Sequence, residues 1–431
     1  MINSKDISSL PLGEMSEGQR GLLLIIGFVW PEPNSSAAGS RMMQLIETFQ
    51  SQNYTITFAS ACEKQDNAFD LERIGVTQKA IKVNSSSFDD FLLELNPEVV
   101  LFDRFIMEEQ FGWRVAEICP NTIRILDTED LHGLRKGRCQ AFKEGNPFDK
   151  TYLLNDTFKR ELASIYRSDL SLIISEYEMN LLVNDLKVDE SLLAYVPFME
   201  NKVEEEQIKS LPNFIERQHF ITIGNFLHAP NYQSILYLKE TIWPLIRQQL
   251  PKAELHIYGA YASQKVTQLH NEKDSFLIKG FADDVNTVMQ QARLCLAPLQ
   301  FGAGLKGKLI DAMKNGTPSV MSTIAAEGMF GNLAPNGNIE DNPEVFVENA
   351  VKLYTDENLW TDKQQNGFAV INERFNNETI QLKFIERFQH IKQNLKAYRL
   401  QNTVGHILQH QTLQSTKYMS KWIEEKNSES N

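Results

Sequence analysis

From Leu22 to Ser322 the sequence twice runs through one alternation, in which short stretches rich in branched and aromatic residues separate longer stretches with helical apolar spacing. Few folds accept that pattern, because parallel strands need long crossovers and the helical crossovers cover both sheet faces. The first round predicts strands over Leu22–Val29, Tyr54–Ser60, Glu98–Asp103, Ile123–Asp127 and Leu170–Ser175, with helices such as Ser40–Gln52 and Phe158–Arg167 between them. The second predicts strands over His219–Gly224, Glu254–Gly259, Phe276–Gly280, Arg293–Pro298 and Pro318–Ser322. Between the rounds, Asn201 to Gln218 is polar and contains Glu204, Glu205 and Glu206, which suits a connection with its boundary near Pro212. The expected fold is α/β: two Rossmann-like, doubly wound parallel-sheet domains, residues 20–212 and 213–395, facing a central cleft, followed by C-terminal helices.

Residues 1–19 carry Ser, Asp and Glu rather than the basic start of a secretory signal, and read as a flexible tail. Leu22 to Trp30, the longest apolar run, is roughly half a membrane span and stops at Pro31 and Pro33. Cys62, Cys119, Cys139 and Cys295 show no metal-ligand spacing and fit a reducing compartment. The expected location is therefore cytoplasmic. A net charge of -13 excludes a general nucleic-acid binder, which needs a concentrated basic surface. Helical period over Thr379–Lys426, which runs into a helical tail over 396–431, puts Leu382, Ile385, Phe388, Leu395, Leu408, Tyr418, Trp422 and Ile423 on an apolar stripe among Lys and His. Docking on the protein's own domains is the expected fate of such a stripe, with peripheral contact at the inner face of a membrane as the alternative.

The chemistry concentrates between Pro298 and Pro318. There Gly302 and Gly304 permit a tight turn from a strand into a helix expected to begin near Leu305 and stop at Gly316. Free N–H groups, the helix dipole and Lys306 or Lys308 make an anion cradle, although a plain structural turn explains the glycines as well. Neither a Walker A loop nor a dinucleotide fingerprint is present. Asp283 and Asp284 read as helix caps rather than metal ligands. In the first half, the small-residue loop Pro31 to Arg41, with Gly39, suits close approach of a phosphate or a simple strand-to-helix turn. The segment Asp127 to Arg135 brings Glu129, Asp130, His132 and Arg135 to a strand end. They form either an acceptor-side cluster, in which His132 orients the sugar or handles a proton, or a salt-bridged surface loop with Lys136 and Arg138.

Taken together, Ile223-Gly224-Asn225 with His228 to Asn231, His256 to Gly259, Lys279-Gly280-Phe281 with Asp283 to Val285, Gly302 to Pro318, and Ala326-Glu327-Gly328 resemble, in order and spacing, the donor domain of the retaining family-4 glycosyltransferases of the GT-B fold. The resemblance covers residues 215–395 closely and 20–200 more loosely. It implies a metal-independent hexosyltransferase that takes a nucleotide sugar as co-substrate and passes the sugar to a saccharide or lipid-linked acceptor in cell-surface glycan synthesis. It places Asn225 and His228 at the phosphates, Phe281 beside the base, and Asp311 on the ribose. Lys306 and Lys308 grip the diphosphate. The family's second acidic residue falls on Ala303 here, and Glu327 is the expected substitute. An epimerase on the same fold and a degenerate binding subunit are the rival readings.

Overall fold

The computed structural model describes residues 20–428, so the expected N-terminal tail lies outside the described residues. The first sheet is built from β1 (Leu22–Gly27), α1 (Ala37–Ser51), β2 (Thr55–Ser60), β3 (Thr77–Ala80), α2 (Ser87–Leu95), β4 (Val99–Asp103), α3 (Arg104–Ile118), β5 (Ile123–Asp127), α4 (His132–Glu144), α5 (Asp156–Arg167), β6 (Leu170–Ile173), α6 (Glu176–Asn180) and β7 (Leu193–Tyr195). All its pairings are parallel, in the order β3-β2-β1-β4-β5-β6-β7.

After α7 (Glu205–Ser210) the second sheet follows: β8 (Gln218–Ile223), α8 (Ala229–Tyr237), α9 (Trp243–Gln249), β9 (Leu255–Tyr258), α10 (Gln264–Thr267), β10 (Phe276–Gly280), α11 (Val285–Gln291), β11 (Ala292–Ala297), α12 (Gly307–Lys314), β12 (Ser319–Met321), α13 (Thr323–Ala326) and β13 (Gly337–Ile339). It is also parallel, in the order β10-β9-β8-β11-β12-β13. Four helices close the chain: α14 (Pro343–Thr355), α15 (Glu357–Arg374), α16 (Asn377–Gln401) and α17 (Thr403–Ser428). No helix among the described residues is long and apolar enough to cross a membrane.

Every predicted strand is present, and β3, β7 and β13 are added. Each of these is an edge strand of three or four residues, and β3 is largely exposed, so none carries the apolar run that marks a buried parallel strand. Central strands such as β4, buried at every position, carry the core.

The chain crosses between sheets twice. It leaves the first after β7 and returns at Asn376, where Glu200 N–H donates to Phe375 O at 2.6 Å and Asn377 N–H donates to Glu200 O at 2.9 Å. Residues 377–395, grouped above with the second sheet, therefore lie on the first: Ile380, Phe384, Phe388 and Ile391 of α16 pack with Phe49 and Tyr54. Their apolar period shows that they bury a face but not which sheet covers it. The halves also share a core, since Ile174 and Phe198 cluster with Leu299, Leu305 and Phe330.

Candidate active site

Both sheets turn their carboxyl ends to one cleft of about 1000 Å³, the position where parallel α/β sheets collect ligands. From the first half it is lined by the loop after β1, Asp103 and Arg104 after β4, and Glu129, Asp130 and His132 after β5. From the second half come Asn225, His228 and Asn231, then Tyr261 and Phe281, then Gly302 to Lys308 and Asp311. Two helix N-termini meet across it, because a Cβ on Gly307, the first residue of α12, would stand 2.6 Å from the Cβ of Ala37 at the start of α1. The helix begins at Gly307 rather than Leu305, with Lys306 in the extended cap position.

Two lysines lie buried at this junction. Lys306 Nζ donates to Ala303 O at 3.1 Å and to Gly304 O at 2.5 Å, and Lys308 Nζ donates to Asn231 Oδ1 at 3.1 Å. Neither forms an ion pair among the described residues, and burial holds each ammonium group down at about 8. Gly304 adopts φ +63°, and a Cβ there would lie 2.7 Å from Asp130 Cβ in the opposite half. Gly304→Ala is thus expected to hold the halves apart and lower kcat about tenfold or more, with a lower thermal midpoint because Ala is strained at this positive φ. Unchanged kcat would mean that the contact is dispensable. Gly302 has room around it, with Lys306 Cε the nearest group at 3.5 Å.

Across the cleft, Asp130 pairs with Arg135 through one oxygen, while Oδ1 accepts no hydrogen bond. Burial pushes Asp130 up, but Arg135, His132 and His228 outweigh it and hold the carboxylate at about 2. His132 Nδ1 stands 3.1 Å from Asp130 O and 3.5 Å from both Asp130 Oδ1 and Glu161 Oε1. Burial lowers its affinity for a proton, and those two carboxylates more than restore it. Glu129 sits at φ +64° and Arg104 at φ +71°, backbone strain gathered where the chain turns into the cleft. Arg104 lies 3.6 Å from both Glu129 and Asp103.

The surface-loop alternative fails for this segment, since residues from His132 onward form α4 and Arg138 is buried. Arg138 reaches the other half, donating to both oxygens of Glu327 at 2.8 and 2.7 Å and to Gly302 O at 2.8 Å. Glu327 is thereby corrected as a donor ligand: its carboxylate is filled by Arg138 and it does not line the cleft. Ala303 is apolar for a related reason, as it packs into the core of the first half. Gly39 does line the cleft, but its missing Cβ accommodates the backbone of Glu32, 2.4 Å away. His228 occupies the cap position of α8, and burial with Arg135 nearby lowers it to about 4, so it is neutral near pH 7. Phe281 is 38% exposed at the cleft wall and is not a core residue. Burial also raises Asp311 to about 7 despite Lys314. Asp284 caps α11, accepting from Asn286 and Thr287 N–H.

Arg104, Arg138, Tyr261 and Glu178 were not legible as site residues. Tyr261 donates to Glu32 at 2.7 Å across the cleft. Glu178 Oε1 accepts Leu131 N–H at 3.0 Å from its own half and Gly304 N–H at 2.9 Å from the other, and burial pushes its carboxyl up to about 8. Arg104 alone had a signal, as a charged residue directly after a predicted strand end.

Residues 217–356 match the family described as Glycosyl transferases group 1. No curated protein sequence matches the chain. Anabaena HepE in complex with UDP and glucose has the same fold at a TM-score of 0.63 and 12% identity, over 86% of this chain and 100% of that one. Sucrose-phosphate synthase from Thermosynechococcus elongatus gives 0.62 and 15%, over 86% and 99%. A mutant of S. aureus TarM in complex with Fondaparinux, alpha-GlcNAc-glycerol and UDP gives 0.54 and 15%, over 70% of this chain and 58% of that longer one. The chain therefore has the two-sheet GT-B fold that these structures share, and within it residues 217–356 are similar to the group 1 glycosyl transferases.

Proposed function

We propose that the cleft moves a hexose from a nucleoside diphosphate sugar to a hydroxyl of a saccharide or lipid-linked acceptor, with retained anomeric configuration, in cell-surface glycan synthesis. The observation that carries this reading is the pair of buried lysines at a helix N-terminus, neither in an ion pair among the described residues and both held low by burial despite Glu327, Glu178 and Asp130 near Lys306. Burying an ammonium group whose charge is only partly offset is costly, and a bound diphosphate supplies the remaining counter-charge. As the leaving diphosphate gains charge in the transition state, the same groups stabilise it further. Phe281 faces the base and Asp311 the ribose, with Asn225 and His228 as neutral hydrogen-bonding groups near the phosphates. Asp130 Oδ1, charged and without a donor, takes a sugar hydroxyl, His132 donates to another, and Glu129 and Arg135 shape the acceptor side.

The reaction proceeds without a metal in this proposal. Glu129, Asp130 and His132 lie within 4.8 Å of one another, yet Arg104 and Arg135 already offset the carboxylates and His132 is held toward its protonated form. UDP is the first nucleotide to test, because HepE and TarM were solved with it.

A selective rise in thermal midpoint with one nucleotide sugar would identify the donor, since a ligand of the folded state stabilises it by mass action. No rise with any nucleotide would remove the donor site from this cleft. Proton linkage adds a second check. With both lysines at about 8 when the cleft is empty, the unfolded chain binds more protons between about pH 8 and 10, so their contribution to stability rises with pH there. A bound diphosphate raises both pKa values, so binding takes up protons and weakens as pH rises above about 8. Calorimetry at pH 8 in two buffers of different ionisation enthalpy measures that uptake, and zero uptake would separate the lysines from the anion.

A further inference from the structure

On the first half's side of the cleft, two charged side chains keep their hydrogen-bonding capacity unspent. Arg104 opens α3 and Glu129 follows β5, both line the cleft, and both are held there by left-handed backbone at φ +71° and +64°. Arg104 Nε stands 3.6 Å from Glu129 Oε2, and its Nη1 stands 3.6 Å from Asp103 Oδ2. Both distances exceed hydrogen-bond length, so neither ion pair uses up a donor of the guanidinium fork or an acceptor of the Glu129 carboxylate. Beside them lies Phe28, directly after β1 and 39% exposed on the cleft wall. It is not a loose surface ring. Its N–H donates to Asp103 Oδ2 at 3.0 Å, and the Arg104 guanidinium lies 5.1 Å from its ring centroid, so strand end and ring hold each other in place.

A fixed aromatic face next to a guanidinium fork and a carboxylate matches the two-sided chemistry of a pyranose. The ring covers the sugar's apolar C–H face, the fork donates to neighbouring hydroxyl oxygens, and the carboxylate accepts a hydroxyl proton. Charge narrows the class further. Burial works against the Arg104 charge, but Asp103, Glu129, Asp130 and Asp127 outweigh it and hold its pKa above the ordinary arginine value. A cation so surrounded has little charge to spare for a carboxylate or phosphate on an incoming molecule, and a cationic sugar would meet Arg104 and Arg135. We propose that Phe28, Arg104 and Glu129 form the acceptor subsite and that the group they hold is a ring of a neutral saccharide. This rests on the reading of the cleft as a site of glycosyl transfer and narrows its acceptor to one class.

Saturation-transfer NMR on the full chain reads weak sugar binding directly. The probes are the methyl glycosides of glucose, galactose, mannose and N-acetylglucosamine, with methyl glucuronide and glucose 6-phosphate as the anionic counterparts, each with and without UDP. At least one neutral glycoside is expected to bind, and the two anionic sugars to bind more weakly. Phe28→Leu keeps apolar bulk but loses the ring face, and Arg104→Lys keeps the charge among the four carboxylates but loses the fork. Each is expected to weaken the neutral glycoside about tenfold or more, while Phe28→Tyr restores it. Circular dichroism and the thermal midpoint of each empty variant, expected to match the unaltered chain, separate lost binding from lost folding. Three results would each overturn the proposal: no neutral glycoside bound, tighter binding of the anionic sugars, or equal binding by Phe28→Leu and the unaltered chain. A missing thermal shift with UDP would count instead against the donor site, and the arm without UDP would still decide the subsite.

Discussion

Lys308→Ala is expected to lower kcat/KM for the nucleotide-sugar donor by about 10²–10³-fold, the ~3–4 kcal/mol typical of losing one preorganised group that stabilises developing charge. The ammonium group is buried at a helix N-terminus, and its single hydrogen bond is to Asn231, so little in the empty protein depends on it. Burial depresses its pKa to about 8, which means the folded state holds the charged lysine at a cost. Removing it should therefore leave the thermal midpoint of the empty protein unchanged or higher while the shift caused by nucleotide is lost. That opposition of stability and affinity is the signature to measure, by thermal unfolding and steady-state kinetics on one preparation. A parallel fall in both would assign Lys308 a structural role. Lys306→Ala should act in the same direction, and the double variant should lose less than the sum, since both groups serve one anion.

Arg138→Ala is expected to be the most damaging substitution away from the phosphate cradle. It removes three hydrogen bonds to the other half and strands Glu327, whose carboxylate has Arg138 as its ion-pair partner. Its guanidinium also lies over Tyr177 at 4.9 Å. Removing one partner from a buried ion pair costs about 3–5 kcal/mol, here divided between global stability and the approach of the two halves. The expected result is a fall in kcat/KM together with a lower thermal midpoint. Adding Glu327→Gln should recover much of the stability by discharging the stranded carboxylate. Full activity in Arg138→Ala would show that the bridge holds nothing the reaction needs.

What could be read in advance follows from where the chain stores its information. Strand runs such as Val99–Asp103 are apolar because helices cover both faces, so the two sheets were legible from period alone. Edge strands such as Thr77–Ala80 are solvated and carry no such signature. The strand-to-helix turn before Lys306 and Lys308 was legible as a turn from Gly302, Gly304 and Gly316. The arrangement between the halves was not. Arg138 lies on the same helix as Arg135 and looks like one more surface cation; only the approach of Glu327, far along the chain, buries it. Glu178 lies on the short helix α6 and gives no hint that its carboxylate joins two domains. Ala303 looked like a lost carboxylate and is instead a packing residue against the opposite core.

The paired crossing at Glu200 and Asn376 has a mechanical consequence. One crossing segment would let the halves twist and splay in any direction. Two segments, hydrogen-bonded to each other through the Glu200 backbone, bend together far more readily than they shear, so the motion left to the halves is close to a swing about a single axis. Because Glu200 also holds Lys314 of α12 at 2.6 Å, that axis is fastened to the helix that begins at the anion cradle.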